Sequence, residues 1–446
     1  MTKAKGAPAV RTPNRATSPR PIPEMTMPFS FSRGGFLGGF PAGGRRGVSE
    51  RRGRSDGDGS GDGNRNPRPA KPRSRLVAFA AAASGGAAAA GSPQGRALAR
   101  RALLAGGAAA APALLAAQSA LAKKANPGKP GAQKAKIDVP KPVTNLDLNG
   151  RRLVAVGDIH GDFAQAMKAL ELSKCMDSEG KWIGGTTVLV QVGDILDRGD
   201  NELAIMRKFQ KLAREAKEAG GDVVVMNGNH EIMNVMGDFR YVTKGAFGEC
   251  RRWVEKRRAR EAEKLGEENV EPLPPVPDGV TPNSYYGLWA RRDLFLPGGE
   301  MAVKMASNPT VLQVGDTVFA HAGITENHVD YGFQRLNNEV AAWMVGKNSQ
   351  PPKHVLEEKG VVWTRDYGGA EGGNKSEAAA CKRLTEALDA TGAKRLIVGH
   401  TPQQKGINSG CGGKVWRSDT GMSRGIYGNT PQVIEIVNGR VRVLSA

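Results

Sequence analysis

Between residues 153 and 231 the chain repeats one pattern three times. A short apolar run is followed by a glycine and then by side chains able to hold a metal ion or a proton. Leu153–Val156 leads into Gly-Asp-Ile-His-Gly-Asp at 157–162, Thr187–Val192 into Gly-Asp-Ile-Leu-Asp-Arg-Gly at 193–199, and Val223–Met226 into Gly-Asn-His-Glu at 228–231. Runs this short and this rich in valine read as strands buried on both faces. Between them, Phe163–Leu172 and Glu202–Ala219 place apolar side chains three or four apart, the spacing of amphipathic helices. The order β-α-β-α-β implies parallel strands joined by right-handed crossovers. Polar motifs that follow such strands gather beyond their carboxyl ends, where ligands of open α/β sheets bind.

Later strands read as antiparallel. Val311–Val314 and Val318–Ala320 flank Gly315-Asp316, and the second runs into His321-Ala322-Gly323. Arg395–Val398 runs into Gly399-His400-Thr401, and Val433–Val437 and Arg440–Leu444 flank Asn438-Gly439, a type I′ hairpin signal. The expected fold is a layered α/β sandwich of mixed sheets flanked by helices.

Charge separates this body from what precedes it. The 446 residues carry a net +20, but residues 1–140 hold 24 basic and 6 acidic side chains, and the remaining 306 hold 40 and 38. A basic globular body for nucleic acid is therefore excluded, and only a basic arm is left for that reading. The arm, with stretches such as FAAAASGGAAAA at 79–90, has too few large apolar groups to offset the entropy of ordering, and disorder is expected. Its first 55 residues are rich in Arg, Ser, Thr and Pro with only Glu24 and Glu50 acidic, as in organelle transit peptides. Arg100-Arg101, the uncharged run Ala102–Ala122 and its closing Ala-Leu-Ala look like a thylakoid export signal. Gly106, Gly107 and Pro112 make that run too weakly hydrophobic for a stable membrane span. The expected organisation is a targeting segment at 1–122, a linker at 123–150, and a catalytic domain at 151–446 with an insertion around 237–310. The expected address is the chloroplast, in stroma or thylakoid lumen.

The strand ends of the body supply Asp158, His160, Asp194, Asn229, His321 and His400. All are oxygen or imidazole donors, which suits two divalent or trivalent ions of manganese, iron or zinc. Two ions about 3.5–4 Å apart need a shared carboxylate. Asp194, on the middle segment, is the natural bridge. Asp158 and His160 alternate on one strand end and face one ion, and Asn229, His321 and His400 complete the other. Such a pair lowers the pKa of a bridging water and clamps two phosphate oxygens during in-line displacement. Arg198 can take phosphate with its planar fork. His230, beside Asn229, is the candidate general acid, and Asp197 would hold its other ring nitrogen.

GDIHGD, GDILDRG, GNHE, HAG and GHT in this order resemble the phosphoprotein phosphatases among the calcineurin-like metallophosphoesterases, over about 151–446. The GNHEIMN extension, the long segment before HAG, and SDTGMS after GHT resemble the Shewanella-like protein phosphatases, which include a chloroplast branch. The resemblance implies the same six metal ligands, His230 as acid, Asp197 as its partner, and Arg198, with Asn229, on phosphate. Two departures stand out. The second phosphate arginine of eukaryotic Ser/Thr members is missing, with Arg365 in VVWTRDYGG as its substitute. The C-terminal toxin-docking motif is also missing, which implies insensitivity to microcystin-type inhibitors.

The implied activity is hydrolysis of phosphotyrosine or phosphoserine/threonine in a phosphoprotein or phosphopeptide, by attack of a metal-bridging hydroxide. A nucleotide or dinucleoside polyphosphate hydrolase shares the motifs, and an inactive scaffold or a nucleic-acid-binding arm belongs to other classes. The mature domain is not expected to bind nucleic acid. Other features have plainer readings. His328 and His354 read as surface histidines, Arg251–Glu271 as a solvated helical insertion, and Asp419 with Gly421 as a structural turn. The four cysteines form no CxxC pair and read as buried free thiols, with Cys381 and Cys411 pairing only in an oxidising lumen.

Overall fold

The computed structural model describes residues 137–373 and 377–445. The targeting segment, its export signal and the start of the linker lie outside the described residues. Among the described residues eleven strands form two sheets. They are β1 (Asn145–Leu146), β2 (Leu153–Val156), β3 (Val188–Gln191), β4 (Asp222–Val225), β5 (Val311–Val314), β6 (Thr317–Ala320), β7 (Arg395–Val398), β8 (Asn408–Gly410), β9 (Val415–Arg417), β10 (Gln432–Val437) and β11 (Arg440–Ser445). One sheet has the order β11-β10-β2-β3-β4 and the other β1-β5-β6-β7-β9-β8. The helices are α1 (Phe163–Leu172), α2 (Glu202–Glu218), α3 (Asn229–Val235), α4 (Lys244–Leu265), α5 (Pro282–Phe295), α6 (Glu300–Met305), α7 (Glu326–Tyr331), α8 (Phe333–Met344) and α9 (Glu377–Thr391).

The two-residue alternation of the strands decides the layering. Leu153 and Ala155 of β2 face the other sheet, packing with Val190, Leu312, Phe319 and Ile397 in a core between the sheets. Val154 and Val156 point the opposite way, against Leu170 of α1 and Phe209 and Leu212 of α2. The outer face of the second sheet, with Val318, Leu396 and Val398, is covered by α5, α8 and α9 through Leu288, Leu336 and Leu384. The result is a helix–sheet–sheet–helix sandwich of mixed sheets, as expected. Among the described residues no helix is long and apolar enough to cross a membrane.

The βαβαβ reading holds, since β2, β3 and β4 pair in parallel with Leu153 opposite Val188 and Val188 opposite Asp222. Asp162 caps α1 by accepting from the Gln165 backbone N–H. Asn438 and Gly439 both adopt positive φ, 51° and 74°, as a type I′ hairpin requires. One strand differs from expectation. β7 is parallel to both neighbours, β6 and β9, because α9 carries the chain back over the sheet before β7 begins. A parallel β9 then delivers residues 418–421 to the same end as the Gly-His-Thr motif. β9 itself is too short and too mixed in polarity to stand out in the sequence.

Two further expectations fail. His328 and His354 are buried, not on the surface. Their rings meet edge to face at 5.2 Å, and Tyr331 packs on His354. Burial pushes His328 down to about 4, and its Nδ1 accepts the Thr325 backbone N–H. Cys175 and Cys250 are buried free thiols, but Cys381 and Cys411 form a disulfide. The N-terminal half of α9 packs beside the β8–β9 hairpin and brings the two Cα atoms to 5.1 Å, a proximity that spacing in the chain does not reveal. A bridge closing a loop of this separation, 30 residues, contributes about 3–4 kcal/mol by the chain-entropy relation. Urea unfolding of the Cys381→Ala/Cys411→Ala protein should show a lower midpoint than the oxidised protein, and dithiothreitol should lower the midpoint of the native protein alone.

Candidate active site

Five loops meet at one end of the sandwich, and each begins where a strand stops. β2, β3 and β4 deliver Asp158, His160, Asp194 and Asn229 from one sheet, and β6 and β7 deliver His321 and His400 from the other. All six side chains are buried. The backbone is bent hard to aim them. His160, Asp194, Asp197, Arg198 and His400 are five of the nine non-glycine residues with positive φ among the described residues. Such conformations cost about 1–3 kcal/mol each and persist where surrounding structure enforces them. The glycines before Asn229 and His400 are steric necessities. A Cβ on Gly228 would lie 2.2 Å from Asp194 Oδ1, and one on Gly399 would lie 2.1 Å from Asp158 Oδ1.

The hydrogen bonds of the histidines show what the site is built to hold. His160 Nδ1 lies 2.9 Å from the Leu196 carbonyl, His321 Nδ1 2.9 Å from the Val192 carbonyl, and His400 Nε2 3.2 Å from the Trp363 carbonyl. A carbonyl can only accept, so each of these nitrogens carries the hydrogen, and the lone pair of the neutral ring is on the other. Those lone pairs converge on oxygens. His321 Nε2 is 3.2 Å from Asp194 Oδ2 and 2.9 Å from Asn229 Oδ1, His160 Nε2 is 3.7 Å from Asp194 Oδ2, and His400 Nδ1 is 2.9 Å from Asn229 Oδ1. Lone pairs facing one another need a positive charge between them. In the protein alone a proton serves at one point. Burial works against charge on His321, but Asp194 outweighs it and raises its pKa, while the surrounding histidines hold Asp194 well below the usual carboxylate range against the same burial. Burial and His230 lower His160 to about 4, and burial, His321 and Arg365 push His400 well down, so these two rings are neutral. The sites fit metal cations. His160, Asp194 and His230 offer ligand atoms within 4.8 Å of one another, as do Asp158, Asp194 and His321. Asp194 is common to both groups, as expected of a bridge.

Asp158 accepts the His400 backbone N–H through Oδ2 and leaves Oδ1 buried without a donor. Against it lies Asp419, 1% exposed, whose Oδ1 accepts the Gly421 N–H and whose Oδ2 is also orphaned. Burial first, then Asp419 and Asp194, raise the Asp158 pKa well above its ordinary value. Asp419 does shape the turn it was read as, but the parallel β9 also seats it on a candidate ligand.

His230 and Asp197 are joined as the sequence implied. His230 Nδ1 is 2.5 Å from Asp197 Oδ2, and His230 Nε2 is turned toward the cluster, 3.9 Å from Asp194 Oδ2. Burial alone would lower His230, but Asp194, the bond to Asp197 and the Asp197 charge raise it to about 9. Cations on Asp194 would cancel that part of the field and bring the ring down toward neutrality. Arg198 stacks on Tyr241 at 4.2 Å, makes no ion pair among the described residues, and has a buried Nε without a partner. Arg365 stands exposed beside the site, with Nη1 3.4 Å from Thr401 Oγ1.

Several contributors went unread. Glu231 is fully engaged by four backbone N–H groups. Oε2 accepts from Asp194 and Gly228, and Oε1 from Ile195 and Leu196. The GNHE motif contains it, but its work is structural and shows only in three dimensions. Asp162, last in GDIHGD, holds Arg424 at 2.8 Å and so ties residues 423–424 to the site loop. Asn234 closes the GNHEIMN extension without a role that the sequence reveals, and Tyr241 and Arg291 lie outside every motif.

A sandwich of this topology with an Asp/His/Asn cluster at its strand ends defines a metallophosphoesterase. Residues 151–404 match the calcineurin-like phosphoesterases, and the chain belongs to that family. It is 39% identical over 296 residues to Shewanella-like protein phosphatase 2 of Arabidopsis thaliana, covering 64% of this chain and 75% of that one. It is 28% identical over 285 residues to Shewanella-like protein phosphatase 1 of Plasmodium berghei, covering 63% and 69%. The solved cold-active protein-tyrosine phosphatase of a Shewanella psychrophile matches with a TM-score of 0.48 at 22% identity, over 68% of this chain and 80% of that one.

Two substitutions probe the cluster. Asp194→Asn should lower the metal content of the purified protein by one ion, read by elemental analysis, together with nearly all turnover. Glu231→Gln should keep the fold but set an amide NH2 against two backbone N–H groups. A loss of about 10–100-fold in metal affinity or activity is expected, read by metal titration and turnover.

Proposed function

We propose that the protein is a metal-dependent protein phosphatase that hydrolyses phosphomonoesters on phosphotyrosine or phosphoserine/threonine. The observation that carries this reading is the meeting of six buried donors, nominated from six separate positions, beside a carboxylate-held histidine and an unpaired arginine. The relatives named as Shewanella-like protein phosphatases support a phosphoprotein or phosphopeptide as substrate.

Asp158, His160 and Asp194 would hold one metal ion, and Asp194, Asn229, His321 and His400 the other. The all-oxygen-and-imidazole set suits manganese, iron or zinc. When bound, the pair supplies an activated water and positive charge for the phosphate oxygens. The chain's own groups do the rest. Arg198, held against Tyr241, presents its fork to the phosphate, with Arg365 at the mouth of the site as the second arginine. Asn229 contributes to phosphate binding from the floor. His230 gives its Nε2 proton to the leaving oxygen as the phosphorus–oxygen bond breaks, and Asp197 keeps the ring oriented through Nδ1.

A substrate panel tests the reading. Residues 123–446 should hydrolyse phosphopeptides far faster than dinucleoside polyphosphates. The reverse order would make the protein a nucleotide hydrolase instead. His230→Asn should keep its metal and lose roughly 10²–10⁴-fold in rate. We further propose that residues 1–122 address the protein to the chloroplast. The Cys381–Cys411 bridge favours the oxidising lumen over the stroma. Mass spectrometry of the mature protein should find an N-terminus near Lys123 for lumen export, or before Arg100 for the stroma. An intact Met1 would remove the targeting reading.

A further inference from the structure

The insertion between α3 and β5 reaches the proton donor. Its helix α5 carries Arg291, which has no exposed surface. The guanidinium grips two neighbours. Nη1 and Nη2 donate to the two carboxylate oxygens of Glu202, the second at 3.2 Å, while Nε and Nη2 donate to Asn234 Oδ1 at 3.0 and 2.7 Å. Its plane lies 4.1 Å over the Phe295 ring.

Both neighbours end on Asp197. Because Asn234 Oδ1 is taken by the arginine, its Nδ2 must face the other way, where it donates to Asp197 Oδ1 at 3.1 Å and to the His230 carbonyl at 2.9 Å. Glu202 Oε1 accepts the Asp197 backbone N–H at 2.5 Å. Asp197 Oδ2 is the atom that meets His230 Nδ1. Asp197 itself has positive φ, 70°, so its backbone is not self-supporting. A buried guanidinium gives up its hydration, and a well-packed apolar side chain serves stability as well or better. Here the charged fork fixes an amide orientation and a carboxylate position at once, which an apolar residue cannot do.

We propose that Arg291 is a positioning residue for proton donation: through Asn234 and Glu202 it holds Asp197, and through Asp197 it holds His230, so that the insertion sets the geometry of the general acid. The proposal rests on the reading of His230 as proton donor.

General acid catalysis matters in proportion to the basicity of the leaving oxygen, and this provides the test. Turnover of phenyl phosphate, whose phenoxide is a poor leaving group, is compared with that of 2,4-dinitrophenyl phosphate, whose dinitrophenolate departs without a proton. The comparison is made in the metal-loaded native protein and in His230→Asn, Arg291→Lys and Asn234→Ala. Asn234→Ala leaves the Arg291–Glu202 pair in place and covers the case in which Arg291→Lys does not fold. His230→Asn should lose roughly 10²–10⁴-fold on phenyl phosphate and far less on the dinitrophenyl ester. Arg291→Lys and Asn234→Ala should lose about 10–100-fold on phenyl phosphate with little change on the dinitrophenyl ester, in KM or in metal content. Equal losses on both esters in these two variants, or no loss in either, overturn the proposal while the donor reading stands. An equal loss on both esters in His230→Asn removes the donor reading and this proposal with it.

Discussion

The site is organised around one electrostatic problem, the carboxylate of Asp194 held away from water. Its Oδ2 is within 4 Å of three imidazole nitrogens, and its Oδ1 accepts the His230 backbone N–H at 3.0 Å. A buried carboxylate must be neutralised, and the histidines can do so only with a proton or a cation in the space they share. The carbonyls of Leu196, Val192 and Trp363 settle the matter for three rings by taking their N–H groups and leaving lone pairs to face inward. The metal preference is therefore written into backbone carbonyls as much as into the six ligands. The same field governs His230, which is why donor and ligands cannot be tuned independently.

Much of this was legible in the chain, and the reasons for success and failure are physical. The strand runs at 153, 188 and 395 are buried on both faces, so their hydrophobicity is continuous and their ends are marked by glycine. Asp158, Asp194, Asn229 and His400 sit immediately after a glycine, and His160 and His321 within three residues of one, so their meeting point followed from strand order. What could not be read lacks such punctuation. β9 spans three residues with an arginine in it, so Asp419 could be assigned a turn but not a place beside Asp158. The Cys381–Cys411 bridge depends on how α9 packs against a hairpin, a tertiary fact. His328 and His354 are covered by each other and by Tyr331, and nothing in their sequence neighbourhood distinguishes that burial from exposure.

The insertion agrees with its reading as a solvated helix over most of Arg251–Glu271, but its inner face does more than the sequence marks. α4 is strongly charged, and only Ala246, Cys250 and Val254, four apart, mark an inner face. A helix of that composition reads as solvent-facing. Its partner α5 has an arginine pair at 291–292, of which one side chain is completely buried and the other is not. An arginine enters an interior only when acceptors are already waiting there, and nothing in the sequence around 291–292 marks them. Those acceptors, Glu202 and Asn234, come from α2 and α3, outside the insertion.

The ligands are divided between the two layers of the sandwich. Asp158, His160, Asp194 and Asn229 belong to one sheet, His321 and His400 to the other. An ion held by both groups would act as a clasp across the interface between the sheets, and its binding free energy would add directly to the free energy of folding. Durability would then track metal supply. In a compartment short of the required ion the protein would lose its catalyst and the clasp that keeps its sheets together, and would become easier for proteases to open. Abundance and activity would fall together.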